Sequence, residues 1–287
     1  MVGLIWTIHT IHYALFPKVG EAYFPAYESE HINRIGKLLL LPWTLEGVTL
    51  LGILWLAFFG GYRKLRIPSL VGGFAMAVVL VISEIFGVHE HIADVARRFA
   101  KAGYFAIAPE LFARQGDAGS YGEIAKLMAE VISKVPDEQV MGDLDACVAW
   151  AGGQGGDTQR VGITGFCWGG RTTWIYAAHN VRVKAGVAWY GPVARSYYPG
   201  DKTVTERAGE IKSAVLGLYG AADGGIPVDT LTQLETALKA AGNKACELVV
   251  YPDTPHAFHA DYRPSYRAEA AKDGWARCQA WFKQHGV

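Results

Sequence analysis

The chain has 287 residues, 51% hydrophobic and 19% charged, and its 27 basic side chains balance its 27 acidic ones. That balance leaves no electrostatic case for nucleic acid, and the apolar content is ample for a large core. Four widely spaced cysteines (Cys147, Cys167, Cys246, Cys278) with no CxxC pair argue against a disulfide framework or a structural zinc site and suit a reducing compartment.

The first 65 or so residues differ in texture from the rest. Residues 1–16 are mostly apolar but interrupted by His9 and His12, and 17–37 are polar and mixed in charge. Residues 38–61 form an apolar run whose only charge is Glu46, with Pro42 inside it and Arg63, Lys64 and Arg66 just beyond. A run of that length is a candidate membrane span, and the basic cluster after it would leave the following domain on the cytoplasmic side. It lies too far into the chain for a signal peptide. Helices packed on a soluble domain, or an appended segment, are the competing readings. The expected division is therefore an apolar helical segment over 1–65, with membrane association through 38–61, and a catalytic domain over 66–287.

From about Phe74 the pattern alternates. Residues 77–82 (AVVLVI) form a continuous apolar run of strand length, as in a parallel strand covered on both faces. Helical spacing follows over 91–102, ending at Gly103, then a strand over 104–108 stopped by Pro109. Helices are predicted over 121–134 and 138–151, then a strand at 161–164 and a helix at 168–179. Strands at 184–189, 214–219 and 247–251 and helices at 229–241 and about 266–284 complete the series. Such alternation predicts an α/β fold, a mainly parallel sheet flanked by helices, with its site at the carboxyl ends of the strands.

The residues at those ends carry the functional signal. Residues 160–170 read RVGITGFCWGG, a nucleophile bracketed by glycines at a strand-to-helix turn. Small residues are needed there because the strand end and helix start nearly touch, and the turn pushes one side chain, here the Cys167 thiol, out of the fold. A helix N-terminus favours the thiolate. A lone cysteine is more often an inert core residue; the glycine bracket reverses those odds. Asp223 follows the strand at 214–219 and His256 the strand at 247–251. Nucleophile, acid and histidine thus run in the order of the α/β-hydrolases, with all three on loops at one edge of the sheet. Asp253 rivals Asp223, and His259 rivals His256. Asp223 is preferred because it ends its own strand, and His256 because it follows Pro255 at a loop start. His89, His91 and His179 read as surface or packing residues, and the two-residue spacing of His89 and His91 argues against a metal site.

Residues 74–287 resemble the dienelactone hydrolase (carboxymethylenebutenolidase) family. The resemblance rests on EIFGV at 84–88, the Gly-Tyr…Ala-Pro-Glu-Leu-Phe-Ala-Arg stretch at 103–114, GFCWGG at 165–170, GAADGGIP at 220–227 and PHAFHADYRPSYR at 255–267. It implies an α/β-hydrolase fold with a Cys167, Asp223 and His256 triad. It further implies that Glu84 pairs with the resting thiol and that the N–H groups of Ile85 and Trp168 form the oxyanion hole. Phe86, Trp168, Tyr190 and Phe258 would line a small aromatic pocket, though each could as well be core. The family's carboxylate-binding arginine, four residues past the histidine, is replaced here by Ala260, and Arg263 lies nearby. The family's amino-terminal strand pair is absent.

The expected function is cysteine-dependent hydrolysis of small lactones or esters through an acyl-thioester, with no cofactor or metal. The alternatives are a thiol acyltransferase and a membrane-tethered binding or sensor protein on a hydrolase fold.

Overall fold

The computed structural model describes residues 75–287. The apolar run at 38–61 and the boundary near residue 65 lie outside the described residues. Among the described residues no helix is long and apolar enough to cross a membrane.

The centre of the fold is a six-stranded sheet with strand order β2-β1-β3-β4-β5-β6. The strands are β1 (Met76–Ile82), β2 (Phe105–Ile107), β3 (Gly156–Phe166), β4 (Val183–Trp189), β5 (Ala214–Gly220) and β6 (Glu247–Tyr251). Pairing is parallel between β1 and β2 and along the series β3, β4, β5 and β6. Parallel neighbours need crossovers: helix α1 (Glu90–Lys101) lies between β1 and β2, α2 (Ile124–Glu130) and α3 (Asp137–Gly153) between β2 and β3, α4 (Trp168–His179) between β3 and β4, and α5 (Val228–Ala240) between β5 and β6, while β4 reaches β5 through a loop with a 3₁₀ turn (Thr205–Arg207) and α6 (Ala268–Gln284) follows β6. The predicted α/β fold is the observed one.

Burial explains both the matches and the misses. Every residue of β1 after Met76 is buried, which is why the strand reads as an unbroken apolar run. In β3 only the second half is buried, beginning at Val161, and the register shifts between Val161 and Gly162. The apolar signal marked that buried half alone, so the polar start at Gly156 was missed. The single helix expected over 121–134 is instead α2 followed by a 3₁₀ turn over Ile132–Lys134. Adjacent Val131 and Ile132 are both buried at the junction, where Val131, at φ −119° and ψ −64°, departs from regular helical geometry.

Helix α4 is enclosed from Trp168 to Ala177. Its buried hydroxyls are satisfied within the helix, Thr172 donating to the Trp168 carbonyl and Thr173 to that of Gly169, each at 3.0 Å. The buried Arg171 makes a two-pronged ion pair to Asp137 at 2.7 and 2.8 Å. Removing one partner would strand a charge in the interior, at a cost of ~3–5 kcal/mol. That pair fixes α4, and hence the turn before it, against the start of α3.

Candidate active site

Cys167 occupies the turn between β3 and α4 with φ 54° and ψ −111°, outside the regions a non-glycine residue adopts freely. Such a conformation costs ~1–3 kcal/mol and persists only where the surroundings over-determine it. They do so here. A Cβ on Gly165 would lie 2.2 Å from the Gly169 carbonyl oxygen, and one on Gly169 would lie 2.5 Å from that of Ile82. The ends of β3 and β1 and the start of α4 therefore meet backbone to backbone. The Cys167 N–H donates to the Trp189 carbonyl at 2.9 Å, and the side chain is left partly exposed at the sheet edge.

Asp223 stands in the turn after β5, buried, with its Oδ1 accepting from the Gly225 N–H at 2.9 Å. Its Oδ2 lies 2.6 Å from Nδ1 of His256, which follows β6. The two turns are joined through their backbones, Ala221 N–H donating to the Tyr251 carbonyl at 2.9 Å and Ala222 N–H to that of Thr254 at 3.0 Å. Gly220 permits this approach, because a Cβ there would sit 2.0 Å from the Thr254 oxygen. Burial alone would hold the His256 imidazole neutral. Its hydrogen bonds to Asp223 and Cys167, and the charges of both, outweigh burial and raise its pKa to about 10. The structure thus brings Cys167, His256 and Asp223 together in one array.

The rivals fall elsewhere. Asp253 is exposed, at φ 48°. His259 is buried, its Nδ1 3.3 Å from Nε2 of His91, whose own Nδ1 lies 3.2 Å from Asp261 Oδ1. Burial, reinforced by the positive charges of His91 and Arg98, lowers the His259 pKa to about 3. His91 is buried packing, as expected, and His89 stacks edge-on against Tyr262 with ring centres 5.4 Å apart. His179 pairs with Asp145 at 2.9 Å, at the opposite end of α4 from Cys167. Among the described residues no group of three ligand-type side chains is arranged to hold a metal ion.

Glu84 is placed differently from the expectation. Rather than the Cys167 thiol, its Oε2 meets Arg263 Nη2 at 2.9 Å and accepts from the Tyr262 hydroxyl at 3.3 Å, with His89 Nε2 at 3.7 Å. Burial opposes its ionisation, but His89, Arg263 and His256 outweigh burial and hold the carboxyl below its usual range. An ionised carboxylate is better matched to a guanidinium than to a sulfur carrying negative charge, which is the physical reason for the changed partner. Arg263 also lies over the rings of Phe86 and Tyr262, at 5.3 and 5.2 Å. Nothing in the sequence spacing pointed to it. Two successive turns, Ala260 N–H to Ala257 O and Arg263 N–H to Ala260 O, each 3.0 Å, curl the chain so that Arg263 returns to Glu84.

The four aromatic residues expected to line a pocket divide. Phe86 borders an open cleft of about 690 Å³ together with His89, Tyr262 and Arg263. Trp168, Tyr190 and Phe258 are fully buried and serve as packing: Trp168 meets Phe112 at 4.9 Å, and Phe258 meets Tyr190 at 5.3 Å. Their size makes them the walls behind the site rather than its open lining. Tyr190 nonetheless touches the array, its ring 5.1 Å from that of His256, and its buried hydroxyl has no hydrogen-bond partner among the described residues. Ala260 is wholly buried.

Comparison with known proteins identifies the family and the fold. The model of the dienelactone hydrolase family matches residues 68–286. A relative from Methylorubrum extorquens, named "Putative carboxymethylenebutenolidase", is 63% identical over 211 residues, which is 73% of this chain and 72% of that protein. One of the same name from Escherichia coli K12 is 51% identical over 217 residues, 74% of this chain and 78% of its own length. The crystal structure described as a "Putative Dienelactone Hydrolase" from Klebsiella pneumoniae is 54% identical, covering 74% of this chain and 88% of that one, with a TM-score of 0.72. A metagenomic phosphotriesterase described as dienelactone hydrolase-like shares the fold alone, at 22% identity and a TM-score of 0.61 over 74% of this chain and 88% of that one. With its own sheet, elbow and family match in accord, the chain belongs to the dienelactone hydrolase family and is a carboxymethylenebutenolidase-like hydrolase.

Proposed function

We propose that the chain hydrolyses small lactones or esters with Cys167 as the nucleophile, through an acyl-thioester. The observation that carries this reading is the continuous array from Asp223 through His256 to Cys167, with the imidazole held in its charged form against the sulfur. In that state the sulfur attacks the scissile carbonyl, a C–S bond forms, and the ring C–O or ester C–O bond breaks as His256 passes its proton to the leaving oxygen. Water then attacks the thioester, giving a proton to His256 and its hydroxyl to the acyl carbon, and the C–S bond breaks to release the acid with the thiolate and charged imidazole restored. Asp223 keeps the imidazole in one tautomer and orientation throughout.

Two backbone donors fit the developing oxyanion. The Trp168 N–H opens α4, where no intrahelical acceptor exists, and the Ile85 N–H follows the buried end of β1. Donors of this kind contribute ~3–4 kcal/mol each when fixed in place before reaction. Glu84, ionised against Arg263, acts on His256 through its charge, which makes it a positioning residue rather than a partner of the thiol.

Turnover of 4-nitrophenyl acetate and of a simple enol-lactone by the full chain, alongside Cys167→Ala and Cys167→Ser, tests the scheme. Trapping of an acyl adduct on Cys167 by mass spectrometry is the expected companion result. Retention of wild-type turnover in Cys167→Ala would overturn the thiol mechanism.

A further inference from the structure

The two edges of the sheet are finished differently. On one side β2 is only three residues long, with Phe105 buried and its ring 5.9 Å from that of Trp150. A short edge strand is a common protection against pairing with another chain. On the other side β6, ELVVY, has five residues, none of them buried, and Val250 is 36% exposed. Neither lysine nor proline interrupts it, although these are the residues that ordinarily blunt an edge.

The backbone of β6 shows where this edge is open. Ala221 N–H donates to the Tyr251 carbonyl, and Gly220 stands opposite Tyr251 in the ladder. Backbone groups point alternately to either side of a strand, so Glu247, Val249 and Tyr251 turn theirs to β5, while Cys246, Leu248, Val250 and Pro252 turn theirs outward. Both ends of the outward series are closed. Asn243 Oδ1 takes the Cys246 N–H at 3.2 Å, and Pro252 has no N–H to give. Leu248 and Val250 are left with their outward groups unpaired among the described residues.

We propose that β6 pairs with β6 of a second copy of this chain, antiparallel about a two-fold axis at Val249, joining the two six-stranded sheets into one. In that register Leu248 faces the second copy's Val250 and exchanges both N–H···O=C bonds with it, and the closed positions, Cys246 and Pro252, face each other. A shift of two residues either way sets Val250 against closed Cys246, or Leu248 against closed Pro252. The side chains agree with the register. Glu247, Val249 and Tyr251 share the face on which the Tyr251 hydroxyl donates to Asp273 of α6 at 2.7 Å. Val249 meets its counterpart on the axis. Glu247, exposed in the single chain, stands opposite the second copy's Tyr251 and close to that copy's Arg277, whose side chain is 45% exposed and donates to the same Asp273 oxygen at 2.6 Å. An acid is thus brought to a cation on both sides of the axis. Antiparallel pairing reverses the strands, so the two active sites open at opposite ends of the joined sheet.

Sedimentation equilibrium of the full chain tests the pairing, with Val250→Lys to separate this edge from every other surface, since that side chain is exposed and its backbone is not used by β5. A dimer is expected for the unaltered chain, and its dissociation constant should rise about tenfold or more in Val250→Lys, with circular dichroism and turnover per chain unchanged. Val249→Cys reads the register. Non-hydrogen-bonded partners stand ~4.5 Å apart at Cα, within disulfide reach, so oxidised glutathione should link two copies through position 249, identified by mass spectrometry of the joined peptides. Val250→Cys, which faces Leu248 of the second copy, should not link to itself. A monomeric full chain, a dimer indifferent to Val250→Lys, or linkage through position 250 in place of 249 overturns the proposal. The thiol mechanism stands apart from all three results.

Discussion

Two imidazoles three residues apart in the turn after β6 behave in opposite ways. His256 faces Asp223 and the Cys167 sulfur and keeps its proton up to about pH 10; His259 faces His91, Phe166 and Trp189 and refuses one down to about pH 3. Burial disfavours the charged form of both, so burial cannot be what separates them. The partner decides. A carboxylate at 2.6 Å overturns the desolvation cost at one position, and a second imidazole at 3.3 Å adds to it at the other. One ring is thereby equipped for proton transfer, and the other is a piece of the core.

The largest expected effect comes from removing what the charged ring serves. Cys167→Ala should lower ester turnover by ~10³-fold or more, measured as kcat/KM, with the fold retained by circular dichroism. Asp223→Asn should follow with a loss of ~10²–10⁴-fold, because the imidazole loses its tautomer control. In the same variant the His256 titration, followed by NMR, should fall well below pH 10, whereas His259 should stay neutral across the accessible range. Parallel movement of both rings would break the contrast.

Stability offers an intermediate test. Leu80→Ala, deep in β1, should cost ~2–5 kcal/mol in denaturant unfolding, whereas His259→Phe should cost only ~1 kcal/mol, because a neutral ring with one hydrogen bond is being replaced by an apolar ring in an aromatic site. A large loss in His259→Phe would mean that the His91 contact carries more than packing.

The pH dependence has two edges with opposite causes. His256 has a folded pKa of about 10, raised from an ordinary 6.5, so its contribution is complete below pH 6.5 and is lost as pH rises through 10. His259 has a folded pKa of about 3, lowered from 6.5, so its contribution is complete above pH 6.5 and is lost as pH falls toward 3. Asp223→Asn should flatten the alkaline edge of the unfolding free energy and leave the acid edge in place. Both edges changing together would show that the two rings are coupled.

Much of this was legible in the chain itself. The elbow, helix 168–179 and strand 247–251 were read to the residue, because a glycine bracket marks a tight turn and the run ELVVY has strand length and composition even though β6 lies at the sheet edge with none of its residues buried. Asp223 and His256 could be placed at strand ends, but their choice over Asp253 and His259 rested on loop position alone; the distance between them is a property of the paired turns. The Glu84–Arg263 contact spans 179 residues and the His91–His259 contact 168, and no periodicity encodes either.

The backbone bonds that join the turns after β5 and β6 have a further consequence. Because Ala221 and Ala222 are tied to Tyr251 and Thr254, the acid and the histidine form one inheritable part, carried by two adjacent strands and the helix between them. The elbow is a separate part, anchored to β1 and β4. A substitution at Cys167 can therefore change the atom that the elbow presents without disturbing the bonds that hold Asp223 and His256 together.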